Sequence, residues 1–360
     1  MMKLPRIIFA FCREPTYVRN ALLWRSLHGN FDSSLVSDAR HGSLTFKLAR
    51  VSLKLLKALS QPHDLVVIGF YGHPLMLLAR RFSTCPIIFD PFVSTFDTLI
   101  ADRNQIQQGS IFAQFLLQLD RKALQISNAI ITDTDTNANF YAKEFQVARD
   151  KFTTLYVSCD ERIFFPRSDK NDSNRFTVFT YSSYMPLHGM DVIVEAAKLC
   201  QELPICFRLV GNTGPQYQVV YEQAKKHNLN NIEFIADVPL SVLPTEIAKA
   251  SICLGGPFGT TPKAGRVITG KTFQFIGMAK PTILTTTQAN YELFQSLPNE
   301  IFCQPGSAPA LANAIKPLYE NTDLRNSAAI GAHQLFESQL QWSKLEPKFI
   351  GLVHSTLSTN

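Results

Sequence analysis

The residues best placed to do chemistry lie in one stretch, Pro257 to Pro281, which carries Lys263, Arg266 and Lys271. It follows a short apolar run, Ala250 to Gly255, that reads as a buried strand, and it precedes a second, Pro281 to Thr285. Between them a Gly-, Pro- and Thr-rich loop is expected to enter a helix bearing Phe273, Phe275, Ile276 and Met278. A strand that empties through such a loop into a helix leaves backbone N–H groups unpaired at the helix N-terminus. Those groups and three cations together make an anion site, and a diphosphate is its natural guest. The plainer alternative is an ordinary strand-to-helix loop with solvated charges, and spacing alone does not separate the two.

Elements must position these residues, and composition bounds how. The chain has 360 residues, 46% of them hydrophobic and 18% charged, so two globular cores are expected. A net charge of +6 favours anionic partners, but it is too dispersed, and too free of recognised motifs, to argue for nucleic acid. The seven cysteines are scattered and never form a C-x-x-C pair, which suits buried free thiols in a reducing compartment. Met1 to Arg6 runs straight into the strand-like Ile7–Phe11, and no apolar run approaches the ~20 residues that span a bilayer. A cytoplasmic location follows as an expectation, with no metal and no cofactor.

Short apolar runs alternate with helical patterns throughout. Strands are expected at 6–11, 64–70, 86–90, 129–132 and 152–156, and helices at 17–28, 44–60, 74–82, 108–126 and 136–144. The polar, Pro-led run 166–175 reads as a linker. A second alternation follows, with strands at 176–180, 206–210, 232–235, 251–254, 282–284 and 301–303. Its helices are expected at 190–201, 215–227, 242–250, 271–278, 309–320 and 324–340. This pattern predicts an α/β chain of two doubly wound parallel-sheet domains facing across a cleft. The expected division is 1–166, a linker at 167–175, 176–340, and a last amphipathic helix in 341–360 with no strand to pair with.

An ordered set of segments resembles family-4 (group 1) glycosyltransferases, whose fold is GT-B. It comprises Tyr184-Met-Pro-Leu-His-Gly189, Phe207–Gly211, Asn231–Ile235, Ile247–Gly255, Lys271-Thr-Phe-Gln274 with Lys280-Pro281, and Glu292. Ser158–Pro166 is similar to the family's exit from its first domain, and Asp90–Asp97, Asp120-Arg121 and Asp133-Thr134 resemble one subgroup's N-terminal pattern. The resemblance implies retaining, metal-independent transfer of a sugar from a UDP- or GDP-linked donor to a glycan or lipid-linked acceptor. The donor would bind the second domain, the acceptor the first, and the last helix would cross back to the first.

By the same resemblance Lys271 binds donor phosphates, with Arg266 and Lys263 sharing the work, because a leaving diphosphate gains charge as the sugar bond breaks. His188, the backbone of Gly189, and Gly211 join the donor-binding set. Two departures stand out. The family usually has a Glu where Gln274 stands, which can still accept a hydrogen bond. Arg266 replaces a second usual Glu and cannot accept one, which opens the alternative of a weak, nucleotide-sugar-binding protein working beside another transferase. In the first domain, His73 is the candidate for a cleft imidazole at the donor sugar, against a packed structural His. Asp90, Asp97 and Arg103 are candidate acceptor contacts, against loop capping. Finally, Lys47, Arg50, Lys54 and Lys57 are spaced three, four and three apart on one helical face, with leucines and Val51 largely opposite. Such a face could rest on an anionic membrane, or simply be the solvated side of an ordinary helix.

Overall fold

The computed structural model describes residues 4–40, 42–103, 105–167, 175–214 and 216–358. It divides into two units, Met1–Val157 with Trp342–Asn360, and Ser158–Gln341. The expected linker lies, for residues 168–174, outside the described residues, as does Pro215 at the head of one expected helix. The first unit ends short of the expected boundary at 166, because the following segment packs into the second. Ser158 Oγ donates to Leu340 O at 2.5 Å, and Cys159 Sγ lies 3.4 Å from Phe273 O.

In the first unit the order is β1 (Arg6–Ala10), α1 (Val18–Asn30), β2 (Asp32–Val36), α2 (Leu44–Leu59), β3 (Leu65–Ile68), α3 (His73–Phe82) and β4 (Ile87–Phe89). Then come α4 (Ile111–Ile126), β5 (Ala129–Thr132), α5 (Asp135–Glu144) and β6 (Phe152–Thr154). All strands pair in parallel, in the order β2-β1-β3-β4-β5-β6. The period of two in β1 sorts its side chains. Ile8, Ala10 and Cys12 pack with α2, α3 and α4, whereas Ile7, Phe9 and Phe11 pack with α1 and the C-terminal helix. Burial on both faces explains why these strands read as continuous apolar runs. β2 was not foreseen: its Asp-Ser-Ser start is mostly exposed at the sheet edge, so it carries little apolar signal.

The second unit runs β7 (Phe176–Tyr181), α6 (Met190–Leu199), β8 (Ile205–Val210), α7 (Tyr217–Lys226), β9 (Ile232–Ile235), α8 (Leu243–Ala248) and β10 (Ile252–Gly256). It continues with α9 (Gly270–Gly277), β11 (Thr282–Thr285), α10 (Gln288–Phe294), β12 (Phe302–Cys303), α11 (Ala308–Glu320) and α12 (Thr322–Leu335). The sheet is again all parallel, in the order β12-β11-β10-β7-β8-β9. α10 was missed in a Thr-rich stretch; Thr287 starts it by accepting from the Asn290 N–H. The two parallel six-stranded sheets match the doubly wound expectation, and all seven cysteines are free, with only Cys85 partly exposed.

The last helix, α13 (Trp342–Ser358), belongs to the first unit. Trp342, Leu345, Phe349 and Val353 form one stripe that is buried with Leu22, Leu23 and Leu27 of α1. Its indole Nε1–H donates to Ser26 Oγ at 2.9 Å, which satisfies the one polar atom of a nearly fully buried ring.

The basic face expected on α2 is not one solvated surface. Lys47 is buried, on the same stripe as Val51, Leu55 and Leu59, and its Nζ meets Glu14 at 2.7 Å. Arg50 pairs with Asp38, and Lys54 Nζ donates to Ser37 O. Acids outside the helix neutralise half of the cationic set.

Replacing Trp342 by Ala should lower the stability of the first unit by about 3–5 kcal/mol, through the lost ring and the cavity left behind. Trp342→Phe should cost less. The check is chemical denaturation of both variants, and an unchanged first transition in Trp342→Ala would show that α13 is not integral to that unit.

Candidate functional site

Parallel strands bring their C-terminal ends to one edge of each sheet, and in the second unit the loops after β7, β8, β10 and β11 meet there. Two of these loops touch backbone to backbone. Gly189, at φ +61° before α6, could carry no Cβ, because that atom would fall 2.5 Å from Gly259 N and from Phe258 C. Gly211, at φ +116°, faces Ser182 O in the same way, at 2.1 Å from a Cβ position. These two expected donor-binding glycines thus lock the β7 and β8 loops and the loop before α9 together.

Lys271 sits in the first turn of α9. Thr269 precedes the helix but does not cap it; its hydroxyl donates instead to Gly255 O at 2.7 Å. The lysine ammonium is buried and turns to uncharged acceptors, Thr180 Oγ1 at 3.2 Å and Tyr181 O at 3.4 Å. Burial pushes its pKa down from the usual 10.5 to about 7. No acid among the described residues faces it. His188 is held by Ser182, whose Oγ lies 2.7 Å from Nδ1. Burial first, then the charges of Lys271 and Lys263, hold the His188 pKa well below its ordinary value, so the ring is neutral. That coupling places His188, Lys263 and Lys271 in one electrostatic neighbourhood. Lys263 is buried and Arg266 half-buried in the intervening loop, where Arg266 N donates to Lys263 O at 3.0 Å.

Gln274 is held from within the unit. Its Oε1 accepts from the Tyr181 hydroxyl at 2.7 Å, which leaves one lone pair of that oxygen for a further donor. Sequence reading missed Thr180, Tyr181 and Ser182. Thr180 and Tyr181 end β7 and Ser182 follows it, and only the folded chain shows that the strand end lies beside α9.

The first unit treats its candidates differently. Asp90 is fully buried and bound by Arg19 Nε at 2.8 Å, so it is a core ion pair rather than an acceptor contact. Arg19 also donates to Leu155 O at 2.7 Å, tying α1 to the segment after β6. His73 is buried at the start of α3. Nδ1 lies 3.3 Å from Thr95 Oγ1, Nε2 lies 3.6 Å from Asp120 Oδ1, and Phe89 stands edge-on to the ring. Desolvation lowers its pKa despite Asp120. The ring is packed on both nitrogens, so the structure makes it a positioning group, not an imidazole open to a sugar. Asp97 opens a π-helical turn, Asp97–Asp102, which a loop reading did not foresee, and it is buried. Arg103 follows the turn and is half-buried. Asp120 organises this region: Oδ2 accepts from Ser94 Oγ at 2.6 Å and from Phe96 N at 3.0 Å.

Residues 175–321 match the family model described as Glycosyl transferases group 1. The second unit carries a group 1 glycosyltransferase domain. The whole chain is also similar to solved structures. HepE of Anabaena, in complex with UDP and glucose, is 15% identical, with a TM-score of 0.74 over 98% of this chain and 100% of that one. Sucrose-phosphate synthase from Thermosynechococcus elongatus is 13% identical, with a TM-score of 0.77 over 99% and 100%. A glycosyltransferase from Rickettsia africae is 14% identical, with a TM-score of 0.72 over all of both chains. These likenesses show the GT-B fold. No curated protein matches the chain. In the glycosyltransferase domain the matched residues hold the whole Lys263, Lys271, His188 and Gln274 set.

Two outcomes follow. Arg19→Ala should destabilise the first unit by about 3–5 kcal/mol, because Asp90 is left charged and buried, whereas Arg19→Met with Asp90→Leu should recover most of the loss. Denaturation curves of the three proteins test this. For Lys271 the folded pKa of about 7 lies below the ordinary 10.5, so between those values the unfolded chain binds more protons and stability rises with pH. Lys271→Met should be more stable than the parent below pH 7 and should lose that rise. A parallel pair of stability–pH curves would show instead that the lysine is solvated.

Proposed function

We propose that the chain transfers a sugar from a nucleotide-sugar donor whose diphosphate lies at the N-terminus of α9. One observation carries the proposal: within the glycosyltransferase domain, Lys271 is buried beside Lys263 and a neutral His188 with no facing acid. Buried charges are normally paired. A diphosphate completes this arrangement and also returns Lys271 to its charged form. As the bond from the sugar C1 to the diphosphate oxygen breaks, negative charge grows on that oxygen, and a cation already in place stabilises it without reorganisation. Lys271 is assigned this role, Arg266 and Lys263 add positive potential, and His188 donates from its neutral ring. The HepE complex with UDP and glucose supports a UDP-linked donor. Retention and independence of metal come from the family resemblance, and so does a glycan or lipid-linked acceptor of a cell-surface polysaccharide handled on the cytoplasmic side. The described residues include no helix long and apolar enough to cross a membrane.

The amide of Gln274, already bonded to the Tyr181 hydroxyl, and the arginine at position 266, which cannot accept a hydrogen bond, favour a second reading, a protein that binds the donor but turns it over weakly beside a partner transferase.

The experiment is a thermal-shift series with UDP, GDP, ADP and CDP, with and without magnesium, followed by turnover of the matching nucleotide sugar. One nucleoside diphosphate at 100 times its dissociation constant should stabilise by about 2.7 kcal/mol. Lys271→Ala should abolish that shift, and affinity should fall by up to ~10-fold per pH unit above pH 7 as the free lysine loses its proton. No shift with any nucleotide overturns the proposal. An equal shift in Lys271→Ala moves the phosphates elsewhere. Binding without turnover selects the second reading.

A further inference from the structure

We infer that the outward face of α2, α3 and α4 is a docking surface for an anionic lipid bilayer. The inference rests on the first unit alone and is independent of the donor site.

The three helices pack side by side on one face of the first sheet, with α3 in the middle. Their buried stripes fix what they turn outward. On α2, burial of Val51, Leu55 and Leu59 leaves Phe46 68% and Leu53 70% exposed. On α4, burial of Ala113, Leu116 and Asp120 leaves Ile111 91%, Phe112 54% and Phe115 57% exposed. The Phe112 and Phe115 rings stack at 6.2 Å, so they stand as one apolar ridge. Each helix follows a parallel strand and runs back along it, so all three N-termini lie at the same edge of the sheet. Phe46, Ile111, Phe112 and Phe115 sit in the N-terminal halves of α2 and α4, toward that shared edge, and Leu53 lies just past the middle of α2.

The charge pattern points to one kind of occupant. The sequences of α2, α3 and α4 contain a single acid, Asp120, and it is fully buried. From Gln105 to Leu119 no residue is charged. The exposed ionisable side chains on these helices are cations, among them Lys54, Lys57, Arg81 and Lys122. Aromatic and aliphatic groups that protrude among cations of one sign form an interfacial surface: the apolar groups enter the headgroup boundary and the cations meet anionic lipid. A second copy of the chain fits poorly, because a two-fold contact through this face would set cations against cations.

The test is co-sedimentation of the full chain with vesicles of phosphatidylcholine alone or mixed with phosphatidylglycerol. Strong partition onto the mixed vesicles, lost as salt rises, is expected, with little onto the neutral ones. The variant Phe46→Ser with Phe112→Ser and Phe115→Ser should lower partition at least ~10-fold, and Lys54→Glu with Lys57→Glu should lower it about 10-fold. All these side chains except the stacked pair lie free of the core, so both variants should keep the parent's circular dichroism and its nucleotide-induced thermal shift. Failure of the parent to bind mixed vesicles overturns the inference, and so does undiminished binding by the Phe variant. Lipid-free dimerisation that the Phe variant abolishes would reassign the face to self-association.

Discussion

A lysine buried at the start of a helix, bonded among the described residues to a hydroxyl and a carbonyl, is an incomplete electrostatic arrangement. In Lys271 the cost of desolvation shows as a pKa near 7. The surroundings do nothing to lower that cost. The neighbours Thr180, Tyr181 and Ser182 are neutral, His188 is held neutral, and Lys263 adds charge of the same sign. A fold that needed only stability would have placed a carboxylate here, or a leucine. The loop contacts at Gly189 and Gly211 leave no room for a Cβ, so the loops around these cations pack closely backbone to backbone. The arrangement makes physical sense as a receptor for negative charge, held ready before that charge arrives.

The first unit shows the opposite solution. Asp90, Asp97 and Asp133 follow strands β4 and β5, Asp120 lies within α4, and all four are buried. Asp90 has Arg19, Asp133 accepts from Asn137 at 2.8 Å, and Asp120 collects a hydroxyl, a backbone N–H and the His73 ring. A network built from side chains and backbone of the same unit fixes geometry, although Asp90 Oδ1 and Asp120 Oδ1 are buried without a hydrogen bond among the described residues. It ties the π-helical turn to α4 and the start of α3.

That difference explains what could be read from residues alone. Strands such as Leu65–Ile68 and Ala129–Thr132 are buried on both faces, and their unbroken apolar runs announce them. Lys271 was legible because a cation at a helix N-terminus is unfavourable unless something anionic compensates. His73 and Asp90 were not, because a polar residue after a strand looks the same whether it faces a ligand or a partner brought from Arg19, 71 positions away. The Tyr181–Gln274 bond spans 93 positions and needs β7 and α9 side by side before it exists. Long-range pairing decides these roles, and composition and periodicity do not encode it.

The reading of α2 failed for a subtler reason. At about 100° per residue, Lys47, Arg50, Lys54 and Lys57 do fall in one arc, and the leucines in another. The middle of the buried face, however, is set by Val51, Leu55 and Leu59, and Lys47 lies at its border. There its long stem can be covered while its head reaches Glu14. The residues diametrically outside are Phe46 and Leu53, which a count of cations passes over. Charge alone would let such a helix hover at an anionic surface, at about 1 kcal/mol per cation and screened by salt. Protruding phenylalanines change the physics, because apolar area removed from water is not screened. The same helix, read from its outward apolar groups Phe46 and Leu53, fits the bilayer docking inferred above better than its cations alone would.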